Sequence, residues 1–232
     1  MRYWQHVIFA SLLALSALTS CFVFRLLNIS SVAFHSGESM LSQGKFTEAL
    51  QKFRIAAAAG GLRPSMALKL ARSAFLAGDA TFSKEVLSSL ITSKTRLSPD
   101  VLNAVAGEFD SMGMPALALA ALRRAGDSVL QSEPSAIYLA ELESRVGDVA
   151  ASEQLYRRVL GKYPDSIAAA LGLAQLVAWH GRTQEAEGLC ESVLRRNPEN
   201  RQARLVLGRV LTAAGRFNDA IVQYRQVLGE TP

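Results

Sequence analysis

Apolar residues along this chain recur at helical spacing. Tyr156, Val159 and Leu160 form one such set, and Cys190, Val193 and Leu194 form another. Steps of three and four residues put a set on one face of a helix, so each predicts a helix with a single buried stripe. Between the stripes, glycine marks a fixed beat at Gly44, Gly78, Gly113, Gly147, Gly181 and Gly215, with spacings of 34, 35, 34, 34 and 34. Pro164, Pro198 and Pro232 keep the same 34-residue step. Self-similarity at a fixed period is the mark of a repeat architecture.

Other columns hold the register. Seven residues before each glycine stand Gly37, Ala71, Ala106, Ala140, Ala174 and Gly208; five residues after it stand Ala49, Ser83, Ala118, Ser152, Ala186 and Ala220. All are small, and helices approach closely only where contact residues are small, so these columns predict a helix crossing. Nine residues after the glycine stand Phe53, Leu87, Leu122, Tyr156, Cys190 and Tyr224, which head the buried stripe of the second helix. Each unit therefore reads as helix, glycine turn, helix, loop. The glycine supplies a left-handed cap, Phe46, Pro115 and Phe217 open second helices, and the terminal proline ends them.

The pattern resembles the tetratricopeptide repeat family. Gly208, Gly215, Phe217, Ala220, Tyr224 and Pro232 of the last unit, and Ala140, Gly147, Tyr156 and Pro164 of the fourth, occupy the signature columns. Six units are expected, at about 30–63, 64–98, 99–132, 133–166, 167–200 and 201–232. The second and third are degenerate: Ala80 and Ser83 stand where an aromatic and an alanine are usual, and Gly126 falls in an apolar column. Glu143 departs too, in a column that is otherwise mostly apolar or aromatic.

The resemblance implies an all-α, right-handed α-solenoid that binds a protein or peptide and does no chemistry of its own. In the family the first helix of each unit lines a concave groove. Carried over by register, that groove receives Phe34, Leu68, Arg72, Phe75, Asn103, Ile137, Glu141, Arg145, Leu171, Gln175, Trp179, Leu205 and Arg209. Apolar patches with Arg72, Arg145 and Arg209 between them read either as ordinary solvent-facing positions or as a site for an apolar and acidic peptide or helix. The carboxylate clamp of the chaperone-binding members needs lysines and asparagines here, and the chain offers Asn103 alone, so that role is excluded.

The stretch WHGRTQEAEGLC, residues 179–190, looks like chemistry but falls into the register. Gly181 is a turn, Ala186 a crossing residue and Cys190 a core position with an inert thiol. His180 closes a first helix, where a base suits the dipole. Trp179 alone is left unexplained by the repeat, either a packing residue or a binding anchor.

Ahead of the repeats, residues 7–24 read VIFASLLALSALTSCFVF, 18 residues without a charge between Arg2 and Arg25. An 18-residue helix is about 27 Å long, close to a bilayer core. Residues 1–29 are therefore expected to be an N-terminal hydrophobic helix acting as a membrane anchor. Three versions compete. Phe22 to Phe24 extend the run past any cleavage point and favour an uncleaved span. A cleaved secretory signal lacks a small-x-small site. Leu18-Thr19-Ser20-Cys21 resembles the bacterial lipobox, which would make Cys21 a lipidation site. Arg2 outside one end and Arg25 alone near the other favour a cytoplasmic N-terminus with the repeats outside the cytoplasm.

Charge adds little. The formal net charge is +5, yet from Glu133 onward 12 basic residues balance 12 acidic ones. The excess lies in Lys45–Arg96, with nine basic and three acidic residues, nearest the expected membrane; anionic headgroups are one reading and a solvated basic face the other. No nucleic-acid module is present. Two cysteines make no disulfide framework, and His6, His35 and His180 are too scattered for a metal site, so no cofactor is expected. No nucleophile elbow, phosphate loop or paired carboxylates with a nearby base point to an enzyme. The last helix keeps Tyr224, Val227 and Leu228 on its stripe with no polar capping helix after it, which points to self-association, a covering partner or a longer natural chain. The expectation is a membrane-anchored scaffold at a bacterial envelope; the alternatives are a lipoprotein assembly factor of the same fold or the repeat region of a longer enzyme.

Overall fold

The computed structural model describes residues 28–229. These residues form twelve α-helices and one 3-10 turn, with no strand. The helices are α1 (Ile29–Ser42), α2 (Phe46–Gly60), α3 (Pro64–Leu76), α4 (Ala80–Thr92), α5 (Pro99–Ser111), α6 (Pro115–Ala125), α7 (Glu133–Arg145), α8 (Val149–Lys162), α9 (Ile167–Trp179), α10 (Thr183–Arg196), α11 (Arg201–Ala213) and α12 (Phe217–Leu228). Consecutive pairs make six helix-turn-helix units. The expected N-terminal helix and Cys21 lie outside the described residues. Among the described residues no helix is long and apolar enough to cross a membrane.

The turns follow from the glycine column. All six turn glycines have positive φ, from 71° at Gly113 to 95° at Gly147, a region costly for any residue with a Cβ. The next residue then donates its N–H back across the turn, Arg182 to Val177 O at 2.9 Å and Arg216 to Leu211 O at 2.9 Å. That bond satisfies a carbonyl the helix end would otherwise leave open. Five helix starts are capped by side chains: Asp79, Ser98, Asp148, Ser166 and Asn200 each accept a hydrogen bond from the backbone N–H three residues on.

The described residues divide into two compact bodies, split between residues 97 and 98. In the first, the described units are α1–α2 and α3–α4. Phe53 is fully buried and lies against Gly37, while Phe34 meets the Phe53 ring edge-on at a centroid distance of 5.5 Å. Burying such a ring contributes about 2–3 kcal/mol. Ala49, Ala71 and Ser83 of the small columns are buried as well.

The second body holds the other four units. The small columns lie inside it: Ala106, Ala118, Ala140, Ser152, Ala174 and Ala186 have no exposed surface, and Ala220 only 2%. A shared core runs through the last three units, including Tyr156, Val159, Leu171, Ala174, Cys190, Val193, Val206 and Leu211. Gly126 has a clear effect. α6 stops at Ala125, Gly126 takes φ 60°, and a 3-10 turn over Gly126–Gln131 delivers Val129 to the core at 1% exposure.

Neighbouring units are also stitched on their outer side. Arg182 Nη1 lies 2.9 Å from both carboxylate oxygens of Glu153, and Arg216 Nη1 lies 2.8 Å from both oxygens of Glu187. Each arginine directly follows a turn glycine, and each glutamate sits six residues after the preceding one. These exposed pairs contribute little energy singly, but they fix the same register twice.

Candidate functional site

Within the second body a cleft of about 270 Å³ opens between the first helices of two neighbouring units. α7 supplies Glu141, Ser144 and Arg145, α9 supplies Gly172, Gln175, Leu176 and Trp179, and Tyr156 of α8 completes the lining. Local sequence explains the placement. Glu141 and Arg145, like Gln175 and Trp179, are four residues apart and so share a helix face. Leu176 and Tyr156, both 4% exposed, tie the cleft to the core, and Trp179 is 82% exposed at its edge. An indole so exposed is unusual among large apolar side chains, which normally bury most of their surface.

The electrostatics centre on α7. Arg145 Nη1 pairs with Asp110 Oδ1 of α5 at 2.5 Å. Glu141 has no ion pair among the described residues. Loss of water around its carboxylate raises its pKa above the ordinary value; Arg145 opposes that shift and Asp110 adds to it. Burial, and then the charge of Glu141, raise the Tyr156 phenol, which stays neutral. Tyr138 hydroxyl donates to Ala106 O at 3.3 Å, and burial followed by Asp110 raises its pKa too. The Gln175 amide donates to Leu171 O of its own helix at 3.4 Å.

Four of the residues that register assigns to a groove thus meet in one place: Glu141, Arg145, Gln175 and Trp179. Ile137 and Leu171, at 9% and 1% exposure, lie in the core beneath and offer little surface to a ligand. Asn103 is half-buried, its Nδ2 donating to Ser135 Oγ at 2.9 Å. Leu205 is half-buried and Arg209 exposed on α11. On the first body, Phe34 lines a separate cavity of about 280 Å³ with Arg63 and Met66. Leu68 and Phe75 are half-buried there and Arg72 is exposed. Arg145 is no isolated cation, because Asp110 already neutralises it, and this weakens the expectation of an acidic ligand.

Sequence reasoning missed the part played by Tyr156 and Gly172. A Cβ at Gly172 would lie 2.6 Å from Tyr156 Cε1, so the tyrosine ring occupies the space of the missing side chain. The signal was in the columns. Where the position nine after the turn glycine is Leu87, Leu122 or Cys190, the crossing residue is Ala71, Ala106 or Ala174. Where it is Phe53 or Tyr224, the crossing residue is Gly37 or Gly208, and the ring lies against it. The column pairs Tyr156 with Ala140 in its own unit, and the ring takes its glycine, Gly172, from the next one.

Two family models, both described as tetratricopeptide repeat, match the sequence, one over residues 36–81 and 139–194 and the other over 180–232. The chain is a tetratricopeptide repeat protein. The span left unmatched between these stretches, residues 82–138, contains the second half of the first degenerate unit and all of the second. No curated protein matches this repeat protein. A tetratricopeptide repeat protein from Parabacteroides merdae has a similar structure, with a TM-score of 0.73 at 15% identity over 88% of this chain and 81% of that one. The structure of Pseudomonas aeruginosa pilF gives 0.58 at 15% identity over 88% and 94%. YrrB, described as a repeat protein with an unusual peptide-binding site, gives 0.58 at 12% identity over 74% and 88%. At these identities the likeness concerns the fold. Tetratricopeptide repeats are generally non-catalytic scaffolds that bind peptides or proteins in a groove. Among the described residues no group of three or more histidines, cysteines or acids is placed to hold a metal.

Proposed function

We propose that this repeat protein is a membrane-anchored scaffold at a bacterial cell envelope, and that the cleft between α7 and α9 binds a segment of its protein partner. The observation that carries the cleft reading is Trp179, a large aromatic left 82% exposed beside a concave, partly apolar surface. Exposed aromatics over pockets are the side chains that dominate interface energetics. The anchor reading rests on the uncharged run of residues 7–24 and places the repeats outside the cytoplasm. A lipid attached at Cys21 is a second reading, favoured by Leu18-Thr19-Ser20-Cys21.

Crosslinking in the cells that make the protein, followed by mass spectrometry, tests the cleft. A recurrent partner recovered with the unaltered chain should be lost on Trp179→Ala. An unchanged partner set would show that another surface does the binding. Palmitate labelling of the protein with and without Cys21→Ala separates the two anchors, since only the lipoprotein gives a label that depends on Cys21.

A further inference from the structure

The cleft has a definite chemical bias. Its wall carries Glu141 and Arg145. Asp110 holds the arginine at 2.5 Å and offsets part of its pull on Glu141. Glu141 is left over, a carboxylate with no ion pair among the described residues. The same cleft is lined by two aromatic side chains, Trp179 and Tyr156, together with the aliphatic Leu176 and Gly172. Aromatic faces attract cations, tryptophan most strongly. A long aliphatic stem ending in a charge suits a surface that is apolar below and acidic at its edge. At about 270 Å³ the cleft falls short of the ~300 Å³ at which drug-sized pockets begin, so it fits one side chain better than a folded element.

We propose that the partner inserts a lysine or arginine here, its charge meeting Glu141 and the Trp179 indole. This rests on the reading of the cleft as a peptide site and gives that site a ligand class. An acidic side chain fits poorly. It would meet Glu141 directly and would have to displace Asp110 from Arg145 to find a counter-charge.

The test uses the full chain in detergent micelles carrying Trp4→Phe, which leaves Trp179 as the sole tryptophan. A phage library of random heptapeptides is selected against it. Enriched peptides are then titrated by Trp179 fluorescence, each beside a copy with its basic residue changed to norleucine. The expected result is enrichment of a lysine or arginine flanked by apolar residues. Glu141→Gln should weaken these peptides about tenfold and leave the norleucine copies almost unchanged. Acidic or uncharged peptides whose binding depends on Trp179 would overturn the cationic assignment and leave the cleft as the binding site. Selected peptides that bind a Trp179→Ala chain equally well, judged by calorimetry, would overturn the cleft reading itself. The melting temperature of each variant, matched to the parent, separates loss of binding from loss of fold.

Discussion

Arg123, on the second helix of unit three, grips the carboxylate of Glu143, on the first helix of unit four, through two parallel hydrogen bonds of 3.0 and 2.7 Å. Glu143 is 4% exposed, while the arginine side chain keeps 56% of its surface in water. Glu143 occupies the column filled elsewhere by Met40, Ala74, Phe109, Val177 and Leu211. One repeat thus buries an acid where most others bury an apolar side chain, and the preceding repeat supplies the base.

The two halves of this pair should respond differently to removal. Arg123→Ala leaves a buried carboxylate without its partner and should cost about 2 kcal/mol, below the range for fully buried pairs because one side is wet. Glu143→Leu restores the apolar pattern and leaves only a surface arginine, so it should change stability by less than about 1 kcal/mol. Urea midpoints of both variants check this. Equal losses would mean that the pair contributes through attraction alone.

Two glycines inside helices should behave in opposite ways. Gly188, in α10, has open space where a Cβ would stand, and Gly188→Ala should stabilise by about 0.5–1 kcal/mol through helix propensity. Gly172→Ala brings the same gain but drives its methyl to 2.6 Å from Tyr156 Cε1 and 2.8 Å from its hydroxyl. Tyr156 is packed into the core, so overpacking of about 1–3 kcal/mol should outweigh the gain. Thermal melts of the two variants in parallel give the comparison, and a Gly172→Ala chain as stable as Gly188→Ala would show that the ring yields freely.

The repeat was legible in the sequence because it is written six times. Turn glycines, small crossing residues and the stripe headed by Phe53 or Tyr224 all recur, and recurrence separates a structural column from chance. The site was only partly legible for the same reason. Register placed Glu141, Arg145, Gln175 and Trp179 on one surface, since that follows from helix geometry. It treated Ile137 and Leu171 as groove residues too, although packing between neighbouring first helices buries them. It could not show that Asp110, 35 residues before Arg145, would neutralise that arginine, because the pairing depends on where two long side chains reach. Gly172 escaped because its partner belongs to the previous unit, and comparison by columns sees one unit at a time.

Cys190 should be inert while the chain is folded. It has no exposed surface, and burial, followed by the charges of Glu187 and Glu191, pushes its thiol up to about 12. At pH 8 a thiol of that pKa is thiolate in only about one molecule in 10⁴. With Cys21→Ser in place, so that Cys190 is the one cysteine, a maleimide should label the native protein negligibly over an hour and label it fully in denaturant. Rapid labelling under native conditions would require α10 to open on that timescale.

Glu141 should destabilise the fold at neutral pH. The raised pKa means that the folded chain holds this proton more tightly than the unfolded one, whose glutamate titrates near about 4.3. By linkage, stability owed to this group is fully present below about 4.3, declines as the pH climbs through the raised folded value, and stays lower beyond it. Glu141→Gln removes the titration. The variant should therefore match the parent near pH 4 and become the more stable of the two by pH 7, as read from urea midpoints across that interval. Arg145, Asp110 and Tyr156 face the same carboxylate and are unchanged between the two chains, so their effects largely cancel in the difference. A variant less stable than the parent at pH 7 would mean that Glu141 already has a favourable partner within the fold. In that case the carboxylate would not be held in reserve for a cation brought by another protein.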